Sequence, residues 1–426
     1  MKNENAFTER FMFRNESLAD GNRSTRHALQ ASLACVIVFS SSILALAQAG
    51  HLDPSFGNGQ HGLFSFSQSS SGGSSAVATA IGLQSDGKIV VAGQIGAQSG
   101  LLRLTTKGQL DSTFGTGGVV TSRIGGDINQ IFTSMAIQSD GKILVTASGC
   151  PPRDDLARFN ADGTLDTVFG SGGIASLSFR ATGVAMQSDG KIIVTGSNYP
   201  NNVIARLLSN GQLDSSFGSG GQAPLLAAAS SVVQESDGKI LVASGGINSG
   251  SLARYNTDGS LDKTFGISGD AASITPFNSI ALQTNGSILG AGTNTASLSL
   301  TGNVSGFGLA RFASTGMIDT TFGARGGVTT GFPKANANAN SVAIQMNGNI
   351  VIAGSAGNST SSSFALARYL STGKLDSSFG TGGLVTTSFG NNSVSIGSVV
   401  LQSDGKILVA GTVAGSVIEV ARYLAQ

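Results

Sequence analysis

QSDGKILVAG, residues 402–411, holds a five-residue element that returns along the chain. QSDGK also stands at 84–88, 138–142 and 187–191, with the variants ESDGK at 235–239, QTNGS at 283–287 and QMNGN at 345–349. A second element, L-D-x-x-F-G, occupies 52–57, 110–115, 165–170, 213–218, 261–266 and 375–380, and reads IDTTFG at 318–323. A third is an apolar run with one arginine: Arg103, Arg158, Arg206, Arg254, Arg311, Arg368 and Arg422. Each element occurs seven times, and repetition at this period marks a repeat architecture.

Each unit reads as four short strands. The segment before the Asp-Gly pair, such as SVVLQ at 398–402, is β-like. Its central residue is small in most units (Gly82, Ala136, Ala185, Ala281, Ala343; Val233 and Val400 in the others), as expected where seven strands crowd around an axis. Asp-Gly or Asn-Gly then predicts a two-residue hairpin with positive φ angles. The next strand, KILVAG at 406–411, is continuously apolar, which suits burial on both faces. The third carries the arginine. GGVVTS at 117–122 and GGLVTT at 382–387 read as the fourth.

In six units an aspartate follows the arginine by eight residues: Arg103/Asp111, Arg158/Asp166, Arg206/Asp214, Arg254/Asp262, Arg311/Asp319 and Arg368/Asp376. A turn lies at each midpoint, so the two side chains are expected to pair across it. The aspartate is also placed to cap one helical turn closed by the glycine. Arg422 has no aspartate after it, and Asp53 has no arginine before it. The two complete each other if residues 51–67 supply the last piece of the blade begun at 389–424. The fold class expected is therefore all-β: a seven-bladed β-propeller of four-stranded antiparallel blades, with units centred near 86, 140, 189, 237, 285, 347 and 404. Closure of this kind removes open sheet edges. A β-solenoid is the competing architecture. Its repeats are usually shorter and need capping ends, so complementary ends favour a ring.

Composition supports this reading and narrows the function. The chain has 61 Gly, 7 Pro and 12% charged residues, against about 25% charged in typical domains. Residues 1–49 hold five basic and four acidic residues out of 25 and 24 in the whole chain, so the remainder is neutral. A neutral body offers no footprint for nucleic acid. Arg23 and Arg26 precede an uncharged stretch from Leu33 to Ala47, and Ala47-Gln48-Ala49 is a small-x-small site. This predicts a signal peptide over 1–49 with a long n-region, cleaved after Ala49, and a secreted, cell-surface or periplasmic protein. Translation from Met12 and an uncleaved anchor are the alternatives. The mature part, 50–426, shows no further spanning segment. Of the two cysteines, Cys35 falls in the leader, leaving Cys150 without a partner.

The constellation A-[IVL]-Q-S-D-G-K-I-L-V-A-G followed by L-A-R-[YF]-x-x-x-G-x-L-D-x-x-F-G resembles the delta-60 repeat family of bacterial proteins, and more distantly NHL-type propeller repeats. The resemblance runs from Leu52 to Tyr423. It implies a propeller in an exported bacterial protein and carries no catalytic residues. Asn285 and Asn347 depart from it at the turn aspartate, as do Ser287 and Asn349 at the following lysine. Gln234 stands where other units have Leu, Ile or Met, which predicts poorer packing of the fourth blade.

No residue set reads as catalytic. The turn aspartates Asp86, Asp140, Asp189, Asp237 and Asp404 alternate with asparagine, which serves a turn but weakens a metal reading. The Arg and L-D-x-x-F-G Asp are invariant within the chain, and their sevenfold repetition points to structure, since an active site is one asymmetric cluster. Only His51 and His61 follow the leader, which disfavours histidine metal sites and triads. Cys150 beside Arg153 reads as an incidental loop thiol. The expectation is no cofactor and no metal, and a monomeric scaffold. An unknown protein or glycan would bind the face carrying the loops 94–100, 147–155, 196–202, 245–250, 293–307, 355–363 and 412–417. Residues 147–155, 293–307 and 331–340 are the favoured sites. A hydrolase or lyase with its site on the axis is the alternative.

Overall fold

The computed structural model describes residues 49–426 except 60, 69–74, 125–129, 149–153, 247–248, 296–304 and 359. The expected leader before Ala49, Cys150 and Arg153 lie outside the described residues. Among the described residues, 28 strands form seven four-stranded antiparallel sheets, the blades of a propeller. In the first blade the strands run Ala76–Leu83, Ile89–Ile95, Gln98–Leu104 and Val119–Ser122 from axis to rim.

The second strand of each blade is apolar throughout because both of its faces are buried. In the seventh blade Ile407 and Val409 pack into the core shared with the sixth, while Leu408 and Ala410 pack into the core shared with the first. Seven such cores separate the seven sheets. Alternation of period two therefore serves two cores rather than one core and solvent.

The ring is closed by the front of the propeller. Leu63–Phe66 pairs antiparallel with Val417–Tyr423, with Phe64 opposite Val420, as the outermost strand of the seventh blade. Leu52 bridges Tyr423, and the Asp53 N–H donates to the Arg422 carbonyl at 2.8 Å. Arg422 Nε lies 2.9 Å from Asp53 Oδ2 but off the hydrogen-bonding direction, so that contact is ionic.

Three details differ from the sequence reading. The first hairpin has a three-residue loop. Gly87 N–H donates to the Gln84 carbonyl and Gln84 N–H to Lys88, and only the glycine enters the left-handed region, at φ 79°. This is a type I turn followed by a glycine bulge rather than a two-residue turn. The aspartate instead accepts the N–H two residues on, as Asp86 does from Lys88, and Asn285 and Asn347 do the same for Ser287 and Asn349.

The small residues of the innermost strands meet the next blade, not the axis. A Cβ on Gly82 would fall 2.8 Å from Ile137, and Ala136 packs into the core between the second and third blades. Gln234 is not a defect, since its Oε1 accepts the Ser188 N–H of the preceding blade at 2.8 Å.

Candidate functional site

The propeller has two ends and an axis. At one end lie the Asp-Gly turns and the turns before L-D-x-x-F-G, because alternate connections of an up-and-down sheet emerge together. Gln84 shows this directly, donating to carbonyls in both kinds of turn of the next blade, Gly141 at 2.8 Å and Ala161 at 3.2 Å.

This end is built on the arginines. Nε of Arg103, Arg158, Arg206, Arg254, Arg311, Arg368 and Arg422 lies 2.7–2.9 Å from Oδ2 of Asp111, Asp166, Asp214, Asp262, Asp319, Asp376 and Asp53. Each guanidinium also stacks on the phenylalanine of its own L-D-x-x-F-G, at 4.4–4.7 Å from the ring centre. Its Nη1 donates to a carbonyl in the next blade: Arg158 to Ser209, Arg254 to Ser314, Arg368 to Ala425 and Arg422 to Thr106, at 2.6–2.7 Å. Arg103 reaches Ala161, Arg206 reaches Thr257 and Arg311 reaches Ser371 in the same way.

The aspartate uses its other oxygen locally. Asp111 Oδ1 accepts the Thr113 hydroxyl and N–H, capping a tight turn that stops short of a helix. Burial pushes the Asp111 carboxyl up, but the two Thr113 bonds, Lys88 and Arg103 outweigh it and bring the group down to about 2. Asp53 is lowered in the same way, burial being offset by Ser55, Arg422 and Lys406. In four of the five units that keep it, the lysine of the Asp-Gly turn lies nearer this buried aspartate than its own turn aspartate; Lys406 is the exception, at 3.3 Å from Asp53 and 3.1 Å from Asp404. Lys142 and Lys239 lie 2.9 and 2.8 Å from the buried Asp166 and Asp262 rather than beside their turn aspartates. Asn349 takes this place in the sixth blade, at 3.2 Å from Asp376.

The axis was not read correctly from the sequence. A cavity of about 260 Å³ is lined by all seven innermost strands, through Thr79, Thr133, Thr182, Ser230, Asn278, Asn340 and Gly397 and their neighbours. Six of these seven sit at bulges where the inner strand slips register against the second. A bulge turns an extra side chain toward the axis. Several join blades: the Thr79 hydroxyl donates to the Phe132 carbonyl at 2.6 Å, and Asn278 donates to Ala339 at 2.7 Å. In six of the seven units a Thr, Ser or Asn stands three residues before the central residue of this strand, and that is the available signal. None of the residues lining this cavity is titratable. Among the described residues, no group of three His, Cys, Asp or Glu is placed to hold a metal.

The other end is irregular. The last strand pair before its loop is Ile95 with Gln98 in the first blade and Val413 with Val417 in the seventh. In the sixth it is Gly357 with Ser362, and in the fifth Asn294 with Gly306, so the loops grow from two residues to eleven. Tyr199 is 95% exposed at the tip of the third blade's loop. Much of 147–155 and 293–307 lies outside the described residues. Residues 331–340 form a short link, with Phe332 bridged to Ala335, and then the start of the strand Asn336–Ile344.

Glu419 departs from the pattern. It is buried on the last strand with one hydrogen bond, from the Ser65 hydroxyl at 2.5 Å, and its second oxygen has no partner. Burial pushes its carboxyl above the ordinary 4.5, and Ser65 only partly offsets this. A raised folded value means that stability is lost as pH rises from 4.5. Glu419→Gln should therefore match or exceed the wild-type melting temperature at pH 7, with the difference shrinking toward pH 4. A variant less stable by the same margin at both pH values would contradict this. For the arginines, Arg254→Ala leaves buried Asp262 with Lys239 as its one cation and also loses the stack on Phe265 and the bond to Ser314, so it should cost up to about 3 kcal/mol. Lys239→Ala removes a half-buried lysine and should cost about 0–1 kcal/mol. Denaturant titration of the two variants measures both, and equal losses would contradict the assignment.

Comparison with known proteins agrees with this geometry. A family model described as a domain of unknown function (DUF5122) beta-propeller matches residues 84–114, 138–169, 187–217, 235–265, 283–322, 345–379 and 402–426, more than half of the chain. No curated protein matches. Among solved structures, virginiamycin B lyase from Staphylococcus aureus is 10% identical at TM-score 0.51, covering 85% of this chain and 99% of its own. YCF48 bound to a D1 peptide is 9% identical at TM-score 0.51, covering 86% and 96%. The extracellular domain assigned to a one component system of B. thetaiotaomicron is 14% identical at TM-score 0.47, and this chain covers 40% of that protein's length. At these identities the structures share the fold alone. The family match, the seven sheets and the sevenfold Arg-Asp-Phe arrangement lead to one assignment: the chain belongs to the DUF5122 beta-propeller family.

Proposed function

We propose that this chain is an exported, non-catalytic scaffold that holds a protein partner on its irregular end. The carrying observation is the contrast between the two ends. One is occupied by seven equivalent Arg-Asp-Phe units whose polar groups are used in holding blades together. The other presents loops of unequal length, and specific recognition needs such asymmetry on a rigid support. The arginines and aspartates serve the fold in this reading. Export rests on the apolar leader and small-x-small site in the sequence.

A peptide or protein is favoured over a glycan, because the chain has no Trp and Tyr199 is the one tyrosine outside the arginine strands. YCF48, a propeller of similar fold, is described with a bound peptide. The axis is a poorer candidate for acid–base catalysis, since its lining has Thr, Ser and Asn but no group that titrates near neutrality.

The test is a screen of the purified protein against peptide and glycan arrays, followed by re-measurement of any hit on two variants. Replacing 198–201 by Gly and Ser should weaken binding at least tenfold. Met346→Ser, on an exposed turn of the regular end, should leave it unchanged. Binding indifferent to the first change and lost with the second would place the site on the wrong face.

A further inference from the structure

We propose that the leader is removed between Ala47 and Gln48, so that Ala49 stays in the mature chain as a working part of the ring. This rests on the export reading above. In the second blade the turn before L-D-x-x-F-G is continuous: Asn160 N–H donates to Thr164, Gly163 N–H donates to Asn160, and the Asp162 carbonyl accepts Gly115 N–H of the preceding blade at 2.9 Å. In the seventh blade the same turn is assembled from two distant pieces of chain. Leu424 N–H donates to His51, Gly50 N–H donates to Leu424, and the Ala49 carbonyl accepts Gly380 N–H of the preceding blade, each at 2.9 Å.

Ala49, Gly50, His51, Leu52 and Asp53 thus stand where residues 162–166 stand in the second blade. The likeness extends to the backbone, with φ of 83° at Gly50 and 87° at Gly163. It extends to packing too. Ala49 is buried, in the core that contains Phe379 and Tyr423. The bond it accepts is one of seven. Gly57, Gly115, Gly170, Gly218, Gly266, Gly323 and Gly380 each donate to a turn carbonyl of the next blade, at 2.7–3.1 Å.

The leader offers two overlapping small-x-small sites, Ala45-Leu46-Ala47 and Ala47-Gln48-Ala49. Cutting at the second deletes the seventh carbonyl, removes a buried side chain and puts a charged ammonium at Gly50. Cutting at the first keeps the whole turn and makes Gln48 the first residue. A free N-terminal glutamine then cyclises: its α-amino nitrogen bonds to the side-chain carbonyl carbon, and the amide nitrogen leaves as ammonia. The mature chain would then be one ammonia lighter.

The experiment is to produce the full chain in a bacterium with the general secretory route, recover it from outside the cytoplasm, and determine its intact mass and N-terminal sequence. A chain beginning at Gln48, open or cyclised, is the expected result. A chain beginning at Gly50 or later overturns this proposal and leaves export intact. A chain recovered there with its leader intact overturns this proposal and leaves export standing, and a chain that stays in the cytoplasm overturns both.

Discussion

The structure depends on what one guanidinium does. Arg206 holds Asp214 with Nε, lies flat on Phe217, and sends Nη1 into the next blade's turn at Thr257. Three different groups meet one planar cation, which an ammonium could not imitate. The buried carboxylate neutralises the arginine's charge, the ring covers its face, and the carbonyl takes its outward proton. Repeated seven times, this joins each blade to its successor at one end, where the backbone offers no sheet hydrogen bonds between blades.

Phenylalanine carries the second half of the join. Phe169 lies under Gly211 of the following blade, where an added Cβ would fall 2.9 Å from the ring. The glycine in the turn therefore answers two demands, a left-handed φ and the absence of a side chain over the ring. At the seam, Gly50 takes this place from the front of the chain, and Arg422 reaches across to Thr106 in the first blade. Where no continuous segment exists, the same contacts are made by pieces far apart in sequence.

Much of this was legible because the chain states its pattern seven times. The eight-residue spacing of Arg254 and Asp262 reads as a pair across a turn, and the two stand 2.9 Å apart. The unmatched Asp53 and Arg422 showed where the ring closes. What stayed hidden was contact between successive units. Sequence spacing describes neighbours within a hairpin, but the partner of an Arg206 Nη1 lies 51 residues on, at a backbone carbonyl that no residue type marks. The axis was hidden for a related reason: bulges at Thr79 and Thr133 shift which side chains point inward, so simple alternation names the wrong ones. The irregular end was legible only as irregular, because nothing repeats there.

The arginine acts between blades as well as within one. Amide hydrogen exchange on Arg206→Lys tests this directly. Lysine keeps a charge for Asp214 but cannot also stack on Phe217 and reach Thr257. Faster exchange is expected at Gly259 N–H, in the following blade's turn, and at Gly218 N–H, which donates to Asp258. Exchange unchanged at both sites, with any loss confined to the turn at 208–212 in the same blade, would contradict it.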